Sequence, residues 1–288
     1  MKTNYVIISP VRDEAEYIGQ TIESVVAQTV RPMEWVIVND GSTDRTGAII
    51  DEYAKANPWI KAIHRTNRGF RKAGGGVIEA FYEGYAALSR NGWDYVVKLD
   101  GDLSFERNYF ERCFEKFNEN SKLGIAGGGI YHQAGVHLEL EEQPLYHVRG
   151  ATKIYKSDCW QAIGGLIKAP GWDVLDELKA NMLGWETRSF PEMQVHHHRY
   201  TGGADGGWRD SIKDGRSDYI CGYHPLFQFL KCVRNVVRKP YLIGSIGLFY
   251  GFVSGYAKGI PQVDDKELIN YVRHQQLRKL TFRSTIWK

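Results

Sequence analysis

Cysteine, long apolar runs and charge of one sign are all scarce in this sequence of 288 residues. Its four cysteines lie far apart, with neither the spacing of a metal cluster nor that of a disulfide framework, so we expect a reducing compartment. A formal net charge of +3 is too small to indicate a nucleic-acid partner. The first apolar run, 5–9, is too short for a secretion signal, and we therefore expect a cytoplasmic site. The content of 43% hydrophobic and 25% charged residues is typical of a globular chain.

The uncharged run 241–257 is the one long apolar segment, and its 17 residues reach the lower limit for a membrane span. Basic residues within 231–239 precede it and Lys258 follows, which suits an anionic membrane surface. We expect an interfacial or re-entrant helix at the cytoplasmic leaflet; a buried or dimer-forming helix is the alternative. Close contact with another helix is favoured by glycine at every fourth position, at Gly247, Gly251 and Gly255.

Strand-like and helix-like segments alternate over the first hundred residues. Short runs of apolar residues predict strands at 5–9, 35–38, 60–64 and 95–99, and helical spacing predicts helices at 18–28, 46–56 and 76–89. Such alternation with short links predicts a parallel sheet covered by helices. Ligands of these sheets bind beyond the carboxyl ends of the strands, so the polar residues that follow each strand are site candidates.

Two carboxylates, Asp100 and Asp102, flank a glycine directly after the predicted strand 95–99. Such a pair can hold a hard divalent cation, because these ions prefer oxygen ligands. The alternative is an ordinary turn, since aspartate and glycine also favour turns.

Polar segments 9–14 and 39–44 follow two other predicted strands. Their acceptor side chains could bind a base or ribose, or Ser42, Thr43 and Asp13 could instead cap the helices that follow. The basic cluster 65–72 could likewise contact a phosphate-bearing ligand or form a solvated surface.

Carboxylates also open a helix predicted over 173–183, which ends at Gly184. Asp173 could act as a general base toward a hydroxyl group. It could equally cap the helix, with Asp176 and Glu177 stabilising the positive end of the helix dipole.

These segments occur in the order seen in family 2 inverting glycosyltransferases of the GT-A fold, and the resemblance covers about residues 3–200. Residues 8–14 resemble the opening strand and loop of that family, and 38–44 (Val-Asn-Asp-Gly-Ser-Thr-Asp) are similar to its V-D-D-G-S-T-D segment. Residues 99–102 resemble its D-x-D motif, and 163–166 resemble its I-G-G-F step. Trp172 and Asp173 are similar to its E-D motif, with tryptophan in place of glutamate.

The resemblance implies a fold and a set of roles. The fold is α/β, a Rossmann-like, mostly parallel sheet with flanking helices, to which this chain adds a C-terminal helical extension. Asp173 would deprotonate the acceptor hydroxyl, with Asp176 in reserve, and Asp102 would bind Mg²⁺ or Mn²⁺. Asp100 would face the ribose and sugar. The nucleotide-sugar site would also be lined by Pro10, Arg12, Glu14, Asp40 and Arg71.

Three consecutive histidines follow the predicted acceptor helix at 196–198. In an extended chain His196 and His198 share one face and His197 takes the other. We expect one of the three to touch the site, and we assign His198 as a second metal ligand. Arg68 and Arg149 are further candidates for phosphate contacts, because a guanidinium matches phosphate oxygens.

We therefore expect residues 1–205 to form a glycosyltransferase domain, with a nucleotide-sugar half to about 102 and an acceptor half over 103–205, followed by a helical extension over 206–288. The expected activity is metal-dependent, hexosyltransferase-type transfer in cell-envelope or exopolysaccharide synthesis. The base is left open between uracil, guanine and thymine. The acceptor is left open between a lipid-linked glycan, a polyprenyl phosphate and a growing polysaccharide.

Two other functions are alternatives. A sugar-1-phosphate nucleotidyltransferase would carry a glycine-rich loop after the first strand, where this sequence has residues 10–14 without glycine. A catalytically silent glycan-binding or scaffold protein of the same fold is the second alternative. The carboxylates Asp100, Asp102 and Asp173 argue against it.

Overall fold

The computed structural model describes residues 3–69, 75–134, 137–199, 207–237 and 241–287. Two compact units divide the chain: Met1–Lys168 with Leu183–Arg199, and Ala169–Met182 with Tyr200–Lys288. The described residues hold the strands β1 (Tyr5–Val11), β2 (Glu34–Asn39), β3 (Ile60–His64), β4 (Tyr95–Leu99), β5 (Leu103–Phe105), β6 (Leu123–Ala134), β7 (His137–Leu140), β8 (Thr152–Lys156) and β9 (Glu186–His197). They also hold the helices α1 (Ile18–Val26), α2 (Thr46–Ala56), α3 (Gly75–Ala86), α4 (Tyr109–Glu119), α5 (Ser157–Ile163), α6 (Trp172–Met182), α7 (Gly207–Ile220), α8 (Pro225–Asn235), α9 (Tyr241–Ala257) and α10 (Lys266–Leu280).

The first unit is built on one sheet with the strand order β3-β2-β1-β4-β8-β6-β9-β5, and β7 pairs with β6 outside this path. The first four strands are parallel to one another. β8 is antiparallel to both β4 and β6, while β6 and β9 run parallel. The alternation of strands and helices therefore correctly predicts an α/β fold whose N-terminal half is a parallel sheet.

The central strands are buried on both faces, because their β-branched and aromatic residues alternate between two layers of helices. On one face, Phe110 and Phe114 of α4 pack on Tyr5 with ring centroids 5.1 and 4.9 Å apart. Fully burying one such side chain stabilises the fold by roughly 1.5–3 kcal/mol. This core holds the strand ends, and the loops that follow them, in fixed positions.

The predicted bounds of α2, β3 and β4 agree with the structure. α1 ends at Val26, before the predicted residue 28. The Gln28 side chain donates to the Glu106 carbonyl at 2.8 Å, and the Thr29 amide donates to the Arg107 carbonyl, so the chain is drawn away from the helix axis.

The second unit comprises α6 and the helices α7–α10. An ideal Cβ added to Gly215 or Gly251 would collide with the backbone carbonyl of the other helix of the α7–α9 pair, so only glycine permits this approach. The predicted small-residue stripe is thus confirmed as a helix contact. In the structure α6 packs with the helices that follow residue 199, whereas the sequence suggests a domain boundary near residue 205. The division into a glycosyltransferase domain and a helical extension stays a prediction.

Among the described residues, no helix is both long enough and apolar enough to cross a bilayer.

Candidate functional site

The carboxyl ends of β1, β2 and β4 lie side by side, because these strands are adjacent and parallel. The segments predicted to form the nucleotide and metal sites leave the sheet at this edge, at residues 11–17, 40–45 and 100–102. The topology therefore brings them together without any residue of the second unit.

The loops after β1 and β2 are joined through Asp13. Its Oδ1 accepts from the Thr43 amide at 2.8 Å, and its own amide donates to Ser42 Oγ at 2.9 Å. Asp13 has a φ of 53°, in the left-handed region that is uncommon for residues other than glycine. Asp13, Ser42 and Thr43 therefore contact one another rather than capping the helices α1 and α2. At the start of α2 it is Asp44 that accepts from the Thr46 amide, at 2.9 Å.

Asp40 is nearly buried and neutralised by two arginines. Arg65 Nη1 contacts one carboxylate oxygen, and Arg68 Nη2 lies 2.6 Å from the other. Arg65 also pairs with Glu83 at 2.9 Å, and Arg12 Nη1 donates to the Asp40 carbonyl at 3.2 Å. The described arginines of the basic cluster are therefore paired within the protein.

Gly41 adopts a φ of 69°, and a Cβ there would lie 2.5 Å from the Cα of Asn67. Only glycine fits this position, which lets the loop after β3 approach Asp40. Arg12 Nη2 donates to Asn67 Oδ1 at 3.1 Å and ties the same loops together. Pro10 is buried within β1, and Arg71 lies outside the described residues.

Asp100 and Asp102 lie at the end of β4, as the sequence suggested. The Lys98 ammonium contacts the Asp100 carboxylate. A Cβ on the intervening Gly101 would lie 2.6 Å from Val11 Cγ1, so glycine lets this loop pack directly against β1. The side chain of Asp102 is only 9% exposed.

The Asp102 carboxylate lies among three groups from distant parts of the chain. His197 Nε2 lies 3.2 Å from its Oδ2, and Arg199 Nε lies 4.0 Å from the same oxygen. The Arg199 guanidinium also pairs with Glu14 at 2.6 Å. This ion pair connects the end of β9 to the loop after β1.

The two aspartates differ in acidity. Burial alone would raise the pKa of Asp102, but the hydrogen bond to His197 and the positive charges of Arg199 and Lys98 hold that pKa below its usual range. Loss of water raises the pKa of Asp100, although the Lys98 ammonium opposes the rise. Asp102 is therefore the more readily ionised carboxylate and the better cation ligand.

His196, in β9, and His198, directly after it, lie on the same side of the chain, as the alternation predicts. The rings of His196 and His198 lie 4.4 Å apart, and His198 Nε2 lies 2.9 Å from Ser104 Oγ. His198 also stacks on Tyr17 with ring centroids 5.7 Å apart. Burial lowers the pKa of both imidazoles, which favours the neutral form that binds metals. The predicted ligand His198 is thus near the site, while His197 contacts the Asp102 carboxylate directly.

The donor set at this edge suits a divalent cation. Asp102 supplies a carboxylate and His197 an imidazole, and Mg²⁺ or Mn²⁺ commonly completes its shell with water and substrate phosphates. Among the residues that the structure describes, no group of three or more histidine, cysteine or acidic side chains is arranged to hold a metal ion. An incomplete protein shell is compatible with a cation shared with a phosphate ligand.

Asp173 and Asp176 belong to the second unit. Asp173 lies in the first turn of α6 and is half-buried, whereas Asp176 is buried and its Oδ1 accepts from the Glu177 amide at 2.7 Å. Burial and the nearby charges of Asp218 and Asp173 raise the pKa of Asp214 on α7. The predicted base thus lies in a group of acidic residues within this unit.

The sequence did not identify Arg199, and it favoured His198 over His197 as the histidine beside Asp102. Both positions depend on the antiparallel pairing of β5 with β9, in which Leu103 faces His197. This pairing joins residues far apart in sequence, and β5 is too short to be recognised from periodicity.

A family model described as glycosyl transferase family 2 matches residues 6–165, which is more than half of the chain. The chain belongs to glycosyl transferase family 2. The match spans the three loops that meet at the edge of the sheet, so the family motifs and the observed site coincide in sequence.

Relatives of this family 2 chain are bacterial glycosyltransferases. It is 34% identical over 128 residues to "Uncharacterized glycosyltransferase EpsJ" of Bacillus subtilis, covering 44% of this chain and 34% of the relative. It is 30% identical over 152 residues to "Glycosyltransferase GlyA" of Streptococcus pneumoniae, covering 52% and 20%. It is 31% identical over 117 residues to "Chondroitin synthase" of Pasteurella multocida, covering 41% and 11%. The matched region thus spans about a third or less of each of these relatives.

Solved structures show that the family 2 chain has the GT-A fold. The structure resembles S. aureus TarS residues 1–349 in complex with UDP, with a TM-score of 0.55 and 14% identity over 89% of this chain and 72% of that one. It also resembles the mannosyltransferase PcManGT of Pyrobaculum calidifontis in complex with GDP-Man and Mn²⁺, with a TM-score of 0.55 and 13% identity over 97% and 88%. The predicted fold class is confirmed.

Proposed function

We propose that this family 2 enzyme transfers a sugar, with inversion, from a nucleoside-diphosphate sugar to an acceptor hydroxyl in cell-envelope or exopolysaccharide synthesis. The observation that carries the proposal is the Asp102 carboxylate, set beside His197 and Arg199 at the carboxyl edge of a parallel sheet. Relatives that include a chondroitin synthase support a polysaccharide product. Such a product would be made at the cytoplasmic face of a membrane.

The donor would occupy the loops after β1, β2 and β4. Asp40 would accept hydrogen bonds from the base, and Asp100 would face the ribose and sugar. Base binding would require Asp40 to exchange one of its two arginine contacts, which frees a guanidinium for the donor phosphates. Pro10, Arg12, Glu14 and Arg71 would complete this half of the site, and neighbours in complex with UDP and GDP-Man support a nucleotide of this class.

Asp102 would hold Mg²⁺ or Mn²⁺, with His198 or the adjacent His197 as the nitrogen ligand. A structural neighbour in complex with Mn²⁺ supports this choice of ions. When bound, the cation would neutralise charge on the departing diphosphate. The Arg199 guanidinium supplies a fixed positive charge beside the same carboxylate.

Asp173 would accept the proton of the acceptor hydroxyl. As the proton leaves, the oxygen attacks the anomeric carbon, and the bond from that carbon to the diphosphate oxygen breaks on the opposite face. The configuration at the anomeric carbon is thereby inverted. Asp176 remains the reserve base, although its burial and its bond to the Glu177 amide favour a role within α6.

The test combines donor binding with turnover. UDP, GDP and dTDP sugars are titrated calorimetrically with and without Mn²⁺, and release of the nucleoside diphosphate is then followed. We expect one base to bind in a metal-dependent way and Asp102→Asn to abolish both binding and turnover.

The matched control is Asp94→Asn at the opposite end of β4, where the aspartate accepts from the Asn4 amide at 2.9 Å. This variant should leave both measurements unchanged. Failure of every nucleotide to bind the wild type would overturn the proposal and favour a silent glycan-binding protein.

A further inference from the structure

Helix α8 has its apolar side outward. The four large side chains Leu226, Phe229, Leu230 and Val233 recur at helical spacing and are 39–53% exposed. The opposite side carries Gln228, which is fully buried and whose amide oxygen and nitrogen have no partner among the described residues. A helix whose outer side faces water would expose its polar side chains and bury its large apolar ones.

Helix α9 packs against α8 and also has its large apolar side chains outward. Its inner side consists largely of small residues, because Gly247, Gly251 and Gly255 pack directly on α7. Its outer side carries seven large apolar or aromatic residues that are 43–59% exposed: Leu242, Ile243, Ile246, Phe249, Tyr250, Val253 and Tyr256. Together with the outer side of α8, they form what we term the α8–α9 face.

Every charged residue in the segment that carries this face, 221–260, is basic. From Cys221 to Ile260 the sequence contains five lysine or arginine residues and no aspartate or glutamate. Arg234 on α8 and Lys258 after α9 are exposed. Lys231 pairs with Asp218 of α7 at 2.7 Å, so Arg234 and Lys258 are the exposed cations among the described residues of 221–260. An apolar surface that carries exposed basic residues matches the acyl chains and the anionic headgroups of a lipid surface.

Aromatic residues with polar tips occur at the borders of the face. Trp208 at the start of α7 stacks on Tyr250 with ring centroids 6.4 Å apart, and Tyr241 and Tyr256 lie at the two ends of α9. Tryptophan and tyrosine are the side chains that favour the headgroup region of a bilayer.

We propose that the α8–α9 face docks on an anionic lipid bilayer and lies in its interface. A second copy of the chain is a poorer occupant: a symmetric dimer would place the exposed Arg234 and Lys258 of both copies in one interface, and residues 221–260 contain no aspartate or glutamate to pair with them.

The test is flotation of the full chain with vesicles of phosphatidylcholine alone or mixed with phosphatidylglycerol. We expect binding to the mixed vesicles that weakens as salt is raised. The triple variant Ile246→Gln, Phe249→Gln, Val253→Gln should lower the partition coefficient roughly 100-fold, because each half-exposed side chain contributes a factor of about five. Arg234→Gln should lower it roughly fivefold.

The matched control is Val26→Gln, Leu138→Gln, Leu140→Gln, which alters three side chains of similar exposure, 40–42%, in the first unit. It should bind vesicles as the wild type does, and circular dichroism should show both triple variants folded. Equal binding by the two variants, or no vesicle binding by the wild type, would overturn the proposal. Light scattering that finds a lipid-free dimer, dissolved by the α9 variant, together with absent vesicle binding would assign the face to a second copy instead.

Discussion

Gly101, between the two aspartates at the end of β4, should not tolerate a methyl group. A Cβ there would lie 2.6 Å from Val11 Cγ1, 3.2 Å from Ile18 Cδ1 and 3.4 Å from Glu14 Cγ. Val11 and Ile18 are both buried in the core beneath the loop, so neither can rotate into solvent. The loop itself must therefore move when Gly101 is replaced by alanine.

We expect Gly101→Ala to lower the free energy of unfolding by about 1–3 kcal/mol, the usual cost of overpacking a dense core. The loop carries Asp102, and its contact with Glu14 would also change. A displacement approaching 1 Å at a reacting group can lower turnover by about 100-fold. The variant should therefore lose stability and transfer activity together.

Urea unfolding followed by tryptophan fluorescence measures the first effect, and release of the nucleoside diphosphate measures the second. The control is Gly19→Ala in α1, where the nearest atom to the new Cβ is the Tyr53 hydroxyl oxygen at 3.8 Å. This change should stabilise the protein by about 0.5–1 kcal/mol, since alanine is the better helix former. Wild-type stability and full activity of Gly101→Ala would refute the packing argument.

Three further predictions concern charge. Because the pKa of Asp102 is depressed in the folded protein, its contribution is present above about pH 4, the ordinary aspartate pKa, and is lost as pH falls through the lower folded value. Urea midpoints of the wild type and Asp102→Asn should therefore converge in acid, and a gap independent of pH would contradict this. Arg199→Gln removes a positive charge 4.0 Å from Asp102, an effect of about 1 kcal/mol, and should therefore lower the Kd for Mn²⁺ roughly fivefold. Calorimetry measures this Kd, and an unchanged or higher value would show that Arg199 does not compete with the cation. Asp173→Asn should lower kcat by about 10²–10⁴-fold with donor affinity retained, whereas the buried Asp176→Asn should mainly lower stability; the reverse pattern in turnover and urea midpoints would make Asp176 the base.

Local patterns predict the strands and helices of the first hundred residues, which form the parallel half of the sheet. The runs that form β3 and β4 are bounded by polar residues or turn residues on both sides, so periodicity fixes their limits. The position of Asp102 then follows from a topological rule, because ligands bind where parallel strands end. The neighbours of Asp102 do not follow, since His197 and Arg199 reach it through a pairing between distant antiparallel strands.

The ion-pair partners of the basic cluster 65–72 are a second feature that the sequence does not predict. The sequence leaves a ligand contact and a solvated surface open, and in the structure Arg65 and Arg68 pair with the nearly buried Asp40. Their contact with a phosphate stays a prediction. Ion pairing between residues of separate loops depends on how those loops fold over the sheet edge. Composition reveals the charges but not which of them neutralise one another.

The C-terminal helices show why helical periodicity alone does not identify a core. The apolar spacing of Leu226, Phe229 and Val233 is what a helix facing the protein interior would show. In the structure these residues of α8 face outward and Gln228 faces inward. The neighbouring helix α9 contacts α7 through glycines and leaves its own large side chains on the outside. Periodicity defines an apolar face, and only packing decides whether protein, lipid or another chain covers it. The absence of acidic residues from 221–260 is the sequence feature that favours lipid.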